Sequence, residues 1–362
     1  MKNLIIMENS FNNIFLKIDE NEILANIQAE PDNISNYFII AGYYSLKQEY
    51  EKAEEVLLKL LNNDNVNLIS ILISLGNVSF LKKDFEKAIE YFCKVLKIDD
   101  KNYLVYYNLG NVYAESGNIE KATEYYNKAI EHNPEDSLSL SALGLINQQS
   151  LKLKDAIKYY EKALELNSEN FENHVNLASV FMQLNDYEKA SELYLKATEY
   201  NPEDFKSYIC AANAFFMNNH FKKSFELYEK AVNINPNYDQ TYICYGISLS
   251  NSGEIDGAIE KFKKAIELSP DNAKNYMVLG NCYFEQNMTK EAVCCYKNAL
   301  EKDNNNINAL ISLGNACVIM ENVSDAVKCY QKAIKLNPNN NELQLIYEDM
   351  LDELEKLDRE KN

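Results

Sequence analysis

Three histidines, eight cysteines and two columns of asparagine are the side chains here whose chemistry goes beyond plain charge. A metal centre needs several His, Cys or carboxylate ligands converging on one point. His132, His174 and His220 fall at unrelated registers and the cysteines form no CxxC pair, so neither a metal nor a cofactor is expected. Cys294 and Cys295 are vicinal, and Cys210 and Cys244 stand 34 residues apart. A disulfide needs Cα atoms within about 7 Å, so all eight cysteines are read as packing or incidental thiols. No glycine pattern suits a phosphate cradle, and no catalytic residue is assigned. The asparagines differ, because they recur. Asn77, Asn111, Asn213, Asn281 and Asn315 share one register, and Asn108 and Asn176 share another. An amide offers donors and an acceptor, so a ladder of them can hold the main chain of an extended peptide whatever its sequence. That is binding chemistry.

The register belongs to a unit of 34 residues, Tyr103–Asp136, restated without insertion in eight copies from Ile69 to Asn340. A fixed period of this length marks a repeat architecture. With Tyr103 as position 1, position 8 holds Gly76, Gly110, Gly144, Ala178, Ala212, Gly246, Gly280 and Gly314. Position 20 is Ala in seven copies and Ser224 in the other, and position 24 is aromatic in all eight, from Phe92 and Tyr126 to Tyr330. Spacings of 3, 4 and 7 within each half are those of helix faces. Small residues at positions 8 and 20 fit two helices whose backbones approach closely. Turn residues separate the helices: Gly117–Asn118, Asn185–Asp186, Asn219–His220 and Gly253–Glu254. Five of the six prolines sit at position 32, where none can continue the second helix, and Pro31 is one residue out of phase.

This pattern resembles the tetratricopeptide repeat: Leu-Gly at positions 7 and 8, an aromatic at 11, Ala at 20, an aromatic at 24, Ala at 27 and Pro at 32. Position 4 departs from it, since the family often has Trp there and this chain has none. The resemblance implies an all-α fold, an α-solenoid wound as a right-handed superhelix, with the first helix of each repeat (helix A) lining a concave groove. Positions 2, 5, 6, 9, 12 and 13 then face the ligand. The implied peptide-binding groove comprises Asn77, Asn108, Asn111, Asn176, Asn213, Asn281 and Asn315, with apolar Met182, Phe216, Met217, Ile243, Ile247 and Phe284 between them. Such a ladder is similar to that in the repeat arm of O-linked N-acetylglucosamine transferases. The clamp with which some members of the family grip acidic chaperone tails is missing, because position 5 has no Lys and position 6 no Arg.

Residues 1–33 are expected to form an N-terminal cap or degenerate repeat. Residues 34–68 are expected to form an irregular repeat, with Gly42 in the glycine column, a turn one residue short and a polar loop at Asn62–Asn67. Residues 341–362 are expected to form a capping helix on a stripe of Leu343, Ile346, Tyr347, Met350, Leu354 and Leu357. Glu at position 22 and Lys at position 26, as in Glu90–Lys94, Glu124–Lys128, Glu192–Lys196, Glu226–Lys230 and Glu260–Lys264, are expected to pair on a solvated outer face.

A net charge of −19 with a single arginine, Arg359, argues against nucleic acid or an anionic membrane as partner. No apolar run approaches the ~18 residues of a membrane span, and the start is too polar for a secretory signal. A cytoplasmic, non-catalytic scaffold or adaptor that binds a protein segment in its groove is the expectation, as a monomer or with weak self-association. The alternatives are a substrate-recruiting subunit for a transferase on another chain and a self-assembling structural array.

Overall fold

The computed structural model describes residues 20–30, 33–61 and 67–361, and these hold twenty α-helices and no strand. After a first helix, Glu20–Ala29, the helices come in antiparallel pairs. Ile34–Leu46 packs with Tyr50–Leu60, Leu68–Leu81 with Phe85–Leu96, Tyr103–Glu115 with Ile119–His132, and Ser137–Gln149 with Leu153–Leu166. The pattern continues through Phe205–Met217 with Phe221–Ile234, Asp239–Asn251 with Ile255–Leu268, Ala273–Glu285 with Thr289–Lys302, and Ile307–Ile319 with Val323–Leu336. The chain divides into two compact units between Val180 and Phe181, inside the helix Phe171–Gln183.

Each pair closes on one contact. The aromatic ring at position 24 lies flat against the helix-A backbone at position 8. A Cβ placed on Gly110 would sit 2.5 Å from the Tyr126 ring, on Gly144 2.7 Å from Tyr160 and on Gly280 2.6 Å from Tyr296. Those glycines are therefore a packing requirement, and the rings they admit are almost wholly buried, with Tyr160 and Phe92 at 0% exposure. In the first unit Ile40, Leu57, Ile71, Leu75, Phe92, Val95, Leu109 and Val112 join in one apolar cluster that runs through successive pairs.

One left-handed residue ends helix A in every pair with a described turn. It is Gly117 or Gly253 in two copies, Asn185, Asn219 or Asn287 in three, and Gln48, Lys83, Leu151 or Glu321 elsewhere. In four pairs the next helix starts on a side-chain cap, where Asp84, Asn118, Asp186 and Asn322 each accept a bond from a backbone N–H in its first turn; the other five have none. Aliphatic or charged residues adopt this conformation without glycine's freedom, which is why Leu151 and Glu321 gave no turn signal.

The pair 34–60 is more regular than its sequence suggests. Its turn, residues 47–49, has the same length as those of the other pairs, with Gln48 at φ 61° in the usual left-handed place. Ala41, 4% exposed, occupies the glycine column, while Gly42 beside it is half-buried. Ala53 then follows Ala41 by the normal interval, and no residue is missing. The additional residue that separates this pair from the next falls after Leu60, and residues 62–66 lie outside the described part, as do residues 1–19.

The expected Glu–Lys pairs form in part. Glu90–Lys94 and Glu124–Lys128 each close at 2.6 Å, but Lys264 turns to Glu267 and Glu226 to Lys223. Exposed side chains of this length change partners at little cost. At the far end the helix Asn341–Lys361 packs on Val323–Leu336 and buries Leu343 at 3% exposure. Tyr347, Met350 and Leu354 are half-buried, and Ile346 is exposed.

Candidate peptide-binding groove

The asparagines at position 9 sit on helix A one residue beyond position 8, which is glycine before Asn77, Asn111, Asn281 and Asn315 and Ala212 before Asn213. Their side chains therefore meet the far end of the position-24 ring that lies against position 8. Where the ring is a tyrosine, its hydroxyl is buried with a proton that needs an acceptor, and the amide oxygen supplies it. Tyr126 Oη donates to Asn111 Oδ1 at 2.7 Å, Tyr296 to Asn281 Oδ1 at 3.0 Å and Tyr330 to Asn315 Oδ1 at 2.7 Å. Tyr228 donates to Asn213 in the same way and also meets Ser248 Oγ at 2.9 Å. The hydroxyl engages the oxygen of each of these four amides, and the amino group takes no part in that bond.

The rest of the column follows the same logic. Phe92 has no hydroxyl, so the Asn77 oxygen stays available and accepts from Asn108 Nδ2 at 3.4 Å. Phe262 stands opposite Ile247, which has nothing to accept with and is exposed. Tyr160 faces Leu145 and finds a substitute one turn away, donating to Gln148 Oε1 at 3.2 Å, while Gln148 Nε2 donates to Ser179 Oγ at 2.6 Å. Gln148 and Ser179 were not among the groove residues expected from sequence. Asn176 is half-buried on the same helix as Ser179, and its backbone oxygen accepts from the Ser179 hydroxyl.

Models of the tetratricopeptide repeat match residues 103–136 and 307–340, and a further one matches 150–208; a model described as TPR repeat matches 76–117, 248–287 and 280–318. These spans cover more than half of the chain. The chain belongs to the tetratricopeptide repeat family. No curated protein sequence matches it. Among solved structures, it is similar to a tetratricopeptide repeat protein from Parabacteroides merdae, with 19% identity and a TM-score of 0.53 over 69% of this chain and 98% of that one. It is also similar to yeast Tom70, with 17% identity and a TM-score of 0.51 over 92% of this chain and 85% of that one. At such identities the likeness is one of fold.

The apolar residues expected in this tetratricopeptide groove divide into exposed and packed. Met217 is 48% exposed and Ile247 42%, whereas Met182, Phe216 and Phe284 are half-buried. The Phe216 ring packs on Phe221 across the turn, with centroids 5.2 Å apart. Ile243 is 5% exposed, and Ile209 and Tyr107 at the same position 5 are buried too, whereas Ile73, Val175, Met277 and Ile311 there are half-buried. Two depressions adjoin the groove residues of the second unit. One, of about 620 Å³ and wide open, is lined by Phe215, Phe221 and His220 with Lys222, Lys223 and Glu226. The other, of about 120 Å³, is lined by Asn281, Phe284, Glu285, Tyr296, Ser312 and Asn315.

The other reactive side chains are engaged in structure. His132 stacks on Tyr106 at 5.2 Å, His174 is buried with Nε2 2.9 Å from the Ser168 carbonyl oxygen, and His220 lies edge-on to Phe215. Among the described residues no group of three His, Cys, Asp or Glu converges on a metal position. All eight cysteines are free. Burial pushes the thiols of Cys210, Cys295 and Cys329 up to about 11, which makes them poor nucleophiles near neutral pH. No described helix is long and apolar enough to cross a membrane.

Proposed function

We propose that this tetratricopeptide protein is a non-catalytic interaction scaffold whose helix-A face holds an extended segment of a partner protein. The observation that carries the reading is the recurrence in the second unit of Asn213, Asn281 and Asn315, each accepting at its amide oxygen from a buried tyrosine hydroxyl, which leaves its amino group unused by that bond. Amide donors in the same register of several repeats, Asn281 and Asn315 in adjacent ones, suit main-chain carbonyl oxygens, which every extended segment offers. Exposed Met217 and Ile247 add apolar contact between those donors. The acidic balance of the chain favours a protein partner over nucleic acid or an anionic membrane. Free, mostly protected thiols suit a reducing compartment, and we place the protein in the cytoplasm.

The test uses an isosteric reversal of polarity. Aspartate at 213, 281 and 315 still accepts from the tyrosine but replaces each amide donor with an acceptor. Wild type and the N213D/N281D/N315D variant are used as paired baits, with helix content compared by circular dichroism. A partner recovered by the wild type and lost from the variant supports the groove. Equal recovery by both rules it out as the binding site.

A second reading, weak self-association through the terminal helix, is favoured by the exposure of Leu345 at 64% and Ile346 at 38%. Light scattering over a concentration series decides it: a constant monomer mass refutes this reading.

A further inference from the structure

We propose that the small depression bounded by Asn281 and Asn315 is a specificity pocket for a lysine or arginine side chain of the bound segment. The proposal rests on the groove reading above and adds the chemistry of one partner residue. The pocket brings together two amides, the Phe284 ring, the Ser312 hydroxyl and the carboxylate of Glu285, within about 120 Å³. At ~30 Å³ per water in the liquid, that space takes the end of one side chain and not a folded element.

The polarity of the walls selects the occupant. Tyr296 and Tyr330 donate to the oxygens of Asn281 and Asn315 at 3.0 and 2.7 Å, which occupies one lone pair of each and leaves both N–H groups free of that bond. N–H donors by themselves welcome a carbonyl or a carboxylate equally. Glu285 breaks that tie. It is exposed, and among the described residues no ion pair closes on it, in contrast to Glu90, Glu124 and Glu267, which hold lysines. It lines the pocket together with Tyr296, whose phenol burial pushes up to about 12. An anion entering here meets that carboxylate, whereas a cation is drawn to it. Phe284 supplies a ring face for the alkyl stem or the cationic head. The amides are left for the main-chain carbonyls on either side. The partner segment is thus extended and carries a basic residue in register with the interval between the seventh and eighth copies of the 34-residue unit.

The full chain is panned against a phage-displayed library of random linear peptides, and in parallel so is the Glu285→Gln variant, which changes an exposed side chain and removes one charge of the many. We expect the wild type to select peptides with Lys or Arg at one position. Fluorescence anisotropy should then show that the lysine-to-glutamine version of a selected peptide binds the wild type roughly tenfold more weakly, as expected for loss of one charge-assisted contact. Glu285→Gln should bind both peptides about equally. Selection without a fixed basic position, or undiminished discrimination by Glu285→Gln, overturns the pocket and leaves the groove standing. If the wild type selects no peptide at all, the groove reading falls together with the pocket.

Discussion

Removing the amide from the Tyr126–Asn111 pair should damage the protein more than removing the hydroxyl. Tyr126 is 3% exposed and donates to Asn111 Oδ1 at 2.7 Å, while Asn111 is half-buried and within reach of water. Tyr126→Phe deletes the donor and leaves an amide oxygen that solvent can satisfy. The cost is that of a neutral hydrogen bond, about 0.5–1.5 kcal/mol. Asn111→Ala instead leaves a buried hydroxyl with no acceptor, a desolvation penalty of about 1–3 kcal/mol. Removing both strands no polar group, so the double variant should cost less than the sum, with a coupling of about 1 kcal/mol or more. Asn111→Asp keeps an acceptor and should lie closer to wild type than Asn111→Ala.

A repeat array opens locally, so a single global unfolding energy is the wrong readout. Native-state hydrogen exchange over Tyr103–Glu115 and Ile119–His132 measures the free energy of opening that one pair. A coupling of about 1.4 kcal/mol appears as a tenfold excess in protection over the additive value. Asn77 is the internal control, because Phe92 gives it no hydroxyl to satisfy. Asn77→Ala should cause little loss. If the Tyr126 and Asn111 effects add to within about 0.3 kcal/mol, the hydroxyl does not engage the amide, and the groove reading loses its basis.

Gly144→Ala places a methyl 2.7 Å from the Tyr160 ring; overpacking of about 1–3 kcal/mol outweighs a helix-propensity gain of about 1 kcal/mol, and hydrogen exchange in Ser137–Gln149 and Leu153–Leu166 should be faster than in the wild type. Leu151→Gly should stabilise the protein by up to about 1 kcal/mol, because it relieves a left-handed residue whose side chain is 78% exposed and packs little; slower exchange in Ser137–Gln149 and Leu153–Leu166 checks it. Burial raises the phenols of Tyr126, Tyr160, Tyr194 and Tyr228 well above their usual value, and those of Tyr296 and Tyr330 to about 12. The unfolded chain ionises its tyrosines near 10, so stability is intact below that pH and falls as the pH rises from about 10 towards 12. Helix content by circular dichroism and tyrosinate absorbance should change together in that window; ionisation of every tyrosine near pH 10 with the helices intact would contradict the burial.

Position 8 was readable in the sequence because eight copies repeat the same steric demand, a ring against a backbone. The pair 34–60 shows the limit of that reading. Gly42 drew attention as the only glycine nearby, yet Ala41 fills the column, and the left-handed Gln48 that sets the frame carries no glycine or asparagine to announce it. The burial of Ile243 is illegible for a related reason: helical spacing puts position 5 beside the groove positions in every copy, and only the packing separates buried Ile243 from half-buried Ile73, Val175, Met277 and Ile311.

The bonding of the amides was written in two columns that have to be read together. Asn111, Asn213, Asn281 and Asn315 each stand 15 residues before a tyrosine, whereas Asn77 stands before Phe92 and Ile247 before Phe262. Nothing in a 3.6-residue period links positions 15 apart on two different helices, so that correlation acquires meaning only once the ring of position 24 is seen lying across position 8. It then makes a chemical statement about each repeat. A tyrosine at position 24 takes up one acceptor site of the asparagine at position 9, and a phenylalanine leaves that site to another donor, as the Asn108–Asn77 contact shows. On the proposed function, exchanging the buried ring of position 24, Tyr for Phe, would therefore change the hydrogen bonding of the position-9 amide without replacing that residue itself.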